Sequence, residues 1–132
     1  MSLKRVVVAD DLTSVLGAVT ALLQGSFEVV GTACDGQAAL DVIRKLEPDL
    51  AVLDISMPCK NGLEVARELK SGGANGTKIV FLTVHEDADI IAACLSAGAS
   101  GYVVKALMDS DLIPALNEAL AGRVFVSPPS SQ

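Results

Sequence analysis

Tryptophan is absent and aromatic residues make up only 3% of the 132 residues, so packing must rest on Val, Leu, Ile and Ala. A basic cluster is missing too. Ten Lys and Arg stand against sixteen Asp and Glu, a net charge of −6, which argues against unaided binding to a nucleic acid backbone or an anionic membrane. No apolar run is long enough to span a bilayer, and the N-terminus lacks a signal peptide's apolar region and cleavage site, so the expected compartment is the cytoplasm. The three cysteines, Cys34, Cys59 and Cys94, have no CxxC spacing and read as reduced, partly buried thiols, not metal ligands. What is plentiful is apolar surface: 51% hydrophobic residues and a mean hydropathy of +0.49 imply one folded domain whose strands are covered on both faces.

Along the chain, Lys4–Ala9 is a short apolar run ending on Asp10 and Asp11. Leu12, Val15, Leu16, Val19, Leu22 and Leu23 then repeat at helical spacing up to Gly25. A second strand spans Phe27–Ala33, and Ala39, Val42, Ile43 and Leu46 mark a helix ending before Pro48. The run from Leu50 to Leu53 reads as a buried strand with Asp54 at its tip and Pro58 beyond. A helix over Leu63–Lys70, a Gly-rich loop over 71–76 and a strand over Lys78–Thr83 follow. The next helix starts near Glu86 or Asp87, with Ala88, Ile91, Ala92 and Leu95 expected inward and Ile90, Ala93 and Ala97 outward. Gly101–Val104 is a short strand ending at Lys105, and the last helix runs from about Asp109 to Gly122, with Pro114 expected to distort or delay its first turn. Five strands alternating with five helices imply βαβ units: an α/β, doubly wound, five-stranded parallel sheet of flavodoxin-like (βα)5 type.

In such a sheet, ligand chemistry collects at the carboxyl ends of the strands. Those ends carry Asp10 and Asp11, Asp54, Thr83 and Lys105. Each has a plain explanation alone: an acid capping a helix, a strand threonine, a solvated lysine. Their joint occurrence, one polar group per ligand-facing tip of an apolar sheet, is what those explanations handle poorly. Three close carboxylates need raised pKa values or a cation. Oxygen ligands without His or Cys suit Mg²⁺, or Mn²⁺ in its place, and disfavour zinc. With a metal present, a carboxylate can attack a phosphoryl group in line, while Lys105 and Thr83 offer charge and a donor to the equatorial oxygens.

From Lys4 to about Gly122 the chain resembles the response regulator receiver domains of two-component signalling. The resemblance rests on Asp10 and Asp11, on Asp54-Ile55-Ser56-Met57-Pro58 with Gly62 and Leu63, on Thr83, and on Gly101-Tyr102-Val103-Val104-Lys105. It implies strand order 2-1-3-4-5, Asp54 as phosphoacceptor, and a Mg²⁺ site made by Asp10, Asp11, Asp54 and the Ser56 backbone carbonyl. Thr83 and Lys105 would read the phosphoryl group, and Thr83 and Tyr102 would form the switch. The implied donor is a sensor histidine kinase. The face of the fourth helix, fifth strand and fifth helix is implied as a homodimer or effector contact. Arg123-Val124-Phe125-Val126-Ser127-Pro128 resembles the subgroup whose receivers precede a helix-turn-helix DNA-binding domain, so transcription is the implied output. The receiver domain is assigned to residues 1–122, and 123–132 to a linker or truncated tail.

Two residues depart from the family's usual pattern. Ala106 stands where many members have a proline after the lysine, and Val84 stands where the residue after the threonine is usually small. By the resemblance, Ser56 and His85 border the path of the hydrolytic water; with Val84 they are candidates for tuning rates. Two other readings share the architecture. A Mg²⁺-dependent phosphatase using an aspartyl-phosphate would need a DxD nucleophile motif where Asp54-Ile55-Ser56 stands, and a cap domain. A flavodoxin-like cofactor binder would need a phosphate-cradling loop where Asp10-Asp11-Leu12 stands.

Overall fold

A computed structural model describes residues 3–72 and 76–128. The centre of the Gly-rich loop and the end of the Ser/Pro-rich tail lie outside the described residues. The elements run β1 (Arg5–Ala9), α1 (Thr13–Leu23), β2 (Glu28–Ala33), α2 (Gly36–Leu46), β3 (Leu50–Leu53), α3 (Gly62–Ser71), β4 (Lys78–Thr83), α4 (Ala88–Ser96), β5 (Gly101–Val104), a 3-10 turn at Lys105–Leu107, α5 (Met108–Leu120) and β6 (Phe125–Val126). All pairings are parallel, in the order β2-β1-β3-β4-β5-β6. The expected five strands and their order hold. The sixth, two residues long, comes from the segment assigned to a linker or tail and pairs along β5.

Alternation along each strand sorts side chains onto two faces. Val7, Ala9, Ala51, Leu53, Ile79, Phe81 and Tyr102 pack with Leu40 and Ile43 of α2, Val65 and Leu69 of α3, and Cys94 of α4. Val6, Val8, Leu50, Val52, Val80, Leu82 and Val103 pack with Leu16, Val19 and Leu23 of α1 and Leu112, Ala115, Leu116 and Ala119 of α5. Every strand but β2 and the short β6 is buried along nearly its whole length, which is why those strands read as continuous apolar runs.

Helix α4 is rotated relative to the expected facing. Ile91 packs on the core as expected, but Ile90 joins it and Cys94 and Ala97 are buried, whereas Ala88, Ala92 and Leu95 face outward and Leu95 is 38% exposed. With alanine, isoleucine, leucine and cysteine on nearly every side of this helix, two stripes one residue apart both satisfy the apolar period, and only contact with the sheet selects between them. Three smaller differences accompany this. Leu12 is the exposed N-cap of α1 instead of part of its inner face. Cys34 and Cys59 are exposed, leaving only Cys94 buried, its thiol pushed up to about 11 chiefly by burial. Helix α5 starts at Met108 and runs through Pro114, which sits on its exposed side, so the ring neither delays nor ends it.

Candidate functional site

The strand order reverses at β1, between β2 and β3, so a crevice opens where β1 and β3 end. Ala9 and Leu53 are level in the ladder. The pairing continues one residue further: Asp10 N donates to the Ala33 carbonyl and Asp54 N to the Ala9 carbonyl, both at 3.0 Å. Both acids are thus held by backbone bonds at the floor of the crevice, 1% and 4% exposed. From above, α3 closes on Asp54. Asn61 and Glu64 form a reciprocal cap at its N-terminus, and Gly62 N donates to the Ile55 carbonyl at 2.8 Å. A Cβ on Gly62 would overlap the Asp54 carbonyl oxygen, so only glycine permits this approach.

Asp10, Asp11 and Asp54 each offer one carboxylate oxygen, all within 4.8 Å of one another. The plain alternative, that Asp10 or Asp11 caps α1, does not describe the site: the N-cap is Leu12 and no side chain bonds the helix's first amides. Asp10 Oδ1 instead accepts from Leu12 N at 2.9 Å. Lys105 Nζ reaches in from the turn after β5, 2.8 Å from Asp10 Oδ2 and 3.1 Å from Asp54 Oδ2. Burial works against its charge, but the two carboxylates outweigh that and hold its pKa above lysine's ordinary value. One ammonium cannot balance three carboxylates. Asp10 Oδ2 is buried and makes no aligned hydrogen bond despite the ion pair. A crowded, all-oxygen donor set with an unsatisfied buried oxygen fits a hard divalent cation.

The remaining groups ring the mouth. Thr83 closes β4, wholly buried, and its Oγ1 accepts from His85 N at 3.3 Å. Tyr102, wholly buried in β5, donates its hydroxyl to the His85 carbonyl at 2.6 Å; burial is the main reason its phenol pKa stands well above the usual range. Ser56 N lies 3.4 Å from Asp54 Oδ1, and Ser56 Oγ lies 3.1 Å from His85 Nε2. Val84, between Thr83 and His85, is 66% exposed. Residues picked singly from the sequence therefore meet around one segment: His85 bonds Thr83 and Tyr102 through its backbone and Ser56 through its ring. The Ser56–His85 contact bridges 29 positions and left no mark in the sequence beyond the two residue types. Sequence reading also missed Ser127, which joins β5 and α5 beside Lys105.

The family model described as "Response regulator receiver domain" matches residues 6–117. The transcriptional regulatory protein DesR of Bacillus subtilis is 36% identical over 123 residues, covering 92% of this chain and 60% of DesR. The chain spans 59 to 62% of the length of the first curated relatives it matches. Among solved structures, the signal receiver domain of the putative response regulator NarL from Mycobacterium tuberculosis superposes with a TM-score of 0.87 at 34% identity, covering 93% of this chain and all of that one. The isolated REC domain of RcsB from Salmonella enterica serovar Typhimurium, solved with the phosphomimetic BeF3⁻, gives 0.86 at 27% identity, covering 96% and 94%.

Proposed function

The chain belongs to the response regulator receiver domain family, and from that premise we propose that it is a phosphoacceptor module taking a phosphoryl group from a sensor histidine kinase onto Asp54. The observation that carries this reading is the buried Asp10–Lys105–Asp54 arrangement, with Asp11 beside it and Asp10 Oδ2 lacking a hydrogen bond. Asp10, Asp11, Asp54 and the Ser56 carbonyl would hold Mg²⁺, or Mn²⁺ in its place. When bound, the ion offsets the negative charge of the carboxylates and of the incoming phosphoryl oxygens.

An Asp54 carboxylate oxygen forms the new O–P bond as the P–N bond to the kinase histidine breaks, and the imidazole leaves with the electron pair. The floor of the crevice keeps the nucleophile fixed through Asp54 N and the Gly62 approach. Lys105 releases Asp54 and follows the charge onto the phosphoryl oxygens. The Thr83 hydroxyl, which only accepts in its contact with His85, has its proton to give. As Thr83 turns, it gives up His85 N, whose carbonyl holds the Tyr102 hydroxyl; Thr83 and Tyr102 thereby form one switch. Ser56 and His85 cover the mouth and, with Val84 at its rim, set how fast the acyl phosphate forms and is lost. The domain thus promotes its own phosphorylation and dephosphorylation without turning over a substrate.

The output is transcription through a DNA-binding domain outside these residues, as in relatives named transcriptional regulators. Its place is the cytoplasm; no helix among the described residues is long and apolar enough to cross a membrane. A homodimer or effector contact through α4, β5 and α5 uses the outward Leu95 of α4, and not Ile90.

Intact-mass measurement after incubation with Mg²⁺ and a small acyl phosphate tests the reading. One phosphoryl adduct per chain is expected, absent from Asp54→Asn. Donor turnover without an adduct would establish the phosphatase instead, and neither result would leave a binding module.

A further inference from the structure

Phe125 and Val126 pair with Gly101 and Tyr102 of β5, and then the ladder changes character. Ser127 N donates to the Tyr102 carbonyl at 2.8 Å. Its side chain takes over from there: Ser127 Oγ accepts from Val104 N at 3.2 Å and donates to Asp111 Oδ2 of α5 at 2.8 Å. Among the described residues Ser127 is one of four buried polar ones; the other three, Asp10, Asp54 and Thr83, all belong to the phosphoacceptor site. A serine hydroxyl here uses both its accepting and its donating capacity inside the protein. Without it, the buried Val104 amide and a carboxylate oxygen lose their partner together.

Val104 is the residue before Lys105, and Asp111 lies on the helix that follows the Lys105 turn. The hydroxyl thus clamps the turn carrying the lysine from both ends, while the Ser127 amide holds the carbonyl of Tyr102.

We propose that Ser127 is a positioning residue for Lys105, and that the β6 tail and the phosphoacceptor site are two ends of one coupled device. Loading Asp54 draws Lys105 toward the phosphoryl group and changes the hold on β6; loosening β6 changes how readily Asp54 is loaded. The two effects are reciprocal because they are one coupling free energy measured from either end. An output domain joined after residue 128 is then driven through its own attachment strand.

This rests on Asp54 being the acceptor, and the experiment separates the two. Amide hydrogen exchange is followed on the full chain with and without Mg²⁺ and beryllofluoride, and the beryllofluoride midpoint is measured for wild type, Ser127→Ala, Ser127→Thr and Asp111→Ala. Loading is expected to change exchange at Val104, Val126 and Ser127 by about fivefold or more, the lower end of ordinary allosteric coupling. Ser127→Ala and Asp111→Ala are expected to shift the midpoint by a similar factor, with Ser127→Thr restoring it; a folded Asp111→Ala decides the matter even where Ser127→Ala unfolds. Beryllofluoride binding with unchanged tail exchange, or with wild-type midpoints in the variants, overturns the coupling alone. No beryllofluoride binding by wild type overturns the acceptor reading and the coupling with it.

Discussion

His85 shows how one side chain and its own backbone do different work. Its amide and carbonyl hold Thr83 and Tyr102, and neither bond needs an imidazole. Its ring meets Ser56 Oγ, in the segment that follows Asp54. Replacing the ring therefore leaves the bonds to Thr83 and Tyr102 intact and removes the one to Ser56. A neutral hydrogen bond contributes about 1 kcal/mol, so if water must break it to reach the acyl phosphate, its loss speeds access by roughly fivefold. His85→Ala is expected to shorten the lifetime of the Asp54 adduct by that factor, with Ser56→Ala doing the same. Intact mass followed over time checks it, and an unchanged decay would mark the ring as a solvated loop group. Asp10, Asp11, Asp54, Thr83 and Lys105 were all legible in the sequence because strand alternation and a terminal polar residue leave a local signature. The bonds from His85 to Ser56 and Tyr102 and the side-chain bonds of Ser127 were not, because each joins positions 16 to 29 residues apart.

Among the helices, α4 presents the clearest case of a pattern with two solutions. It has no side-chain cap bond, and Cys94 is its only fully buried residue within the helix bounds. Helices α2 and α3, by contrast, are capped by Asp35 and Asn61 and carry charged outer faces that leave one inward stripe. Substitutions that suit the helix dipole isolate burial: Ile90→Glu near the N-terminus and Leu95→Lys near the C-terminus. Ile90→Glu is expected to cost about 2 kcal/mol by placing a carboxylate against the core, and Leu95→Lys to stay within about 0.5 kcal/mol. Urea unfolding midpoints decide it; equal losses would restore the facing read from periodicity. For the α4–β5–α5 contact proposed above, Leu95→Lys is expected to weaken self-association without unfolding the domain, and sedimentation of the folded variant checks it.

Because the chain holds one tyrosine and no tryptophan, the alkaline titration of the intact protein can be followed at a single chromophore. Tyr102 and Lys105 both have pKa values raised by folding. Each binds its proton more tightly folded than unfolded, so ν_N exceeds ν_U and the slope of unfolding free energy with pH is negative. Their contribution is whole below the unfolded values, about 10 for both groups, and is lost as pH rises past them. Stability is expected to fall from pH 9 to 11, more shallowly in Tyr102→Phe, with tyrosinate absorbance appearing only as the fold is lost. Tyrosinate forming near pH 10 in the folded protein would show a phenol open to solvent.

Element order, the parallel doubly wound sheet and the row of polar strand ends were all present in the linear chain. Period, breakers and terminal residues are local properties, and a buried parallel strand has no choice but to be apolar on both faces. Three things required the folded molecule: which stripe of α4 faces the sheet, the bridge of Ser56 to His85, and the use of Phe125 to Ser127 as a sixth strand clamped beside Lys105. Each depends on distances between elements, and an alternating or helical pattern carries none. A serine in a Ser/Pro-rich tail has the same composition whether it hangs in water or fills the one position where a strand amide and a helix carboxylate both need it.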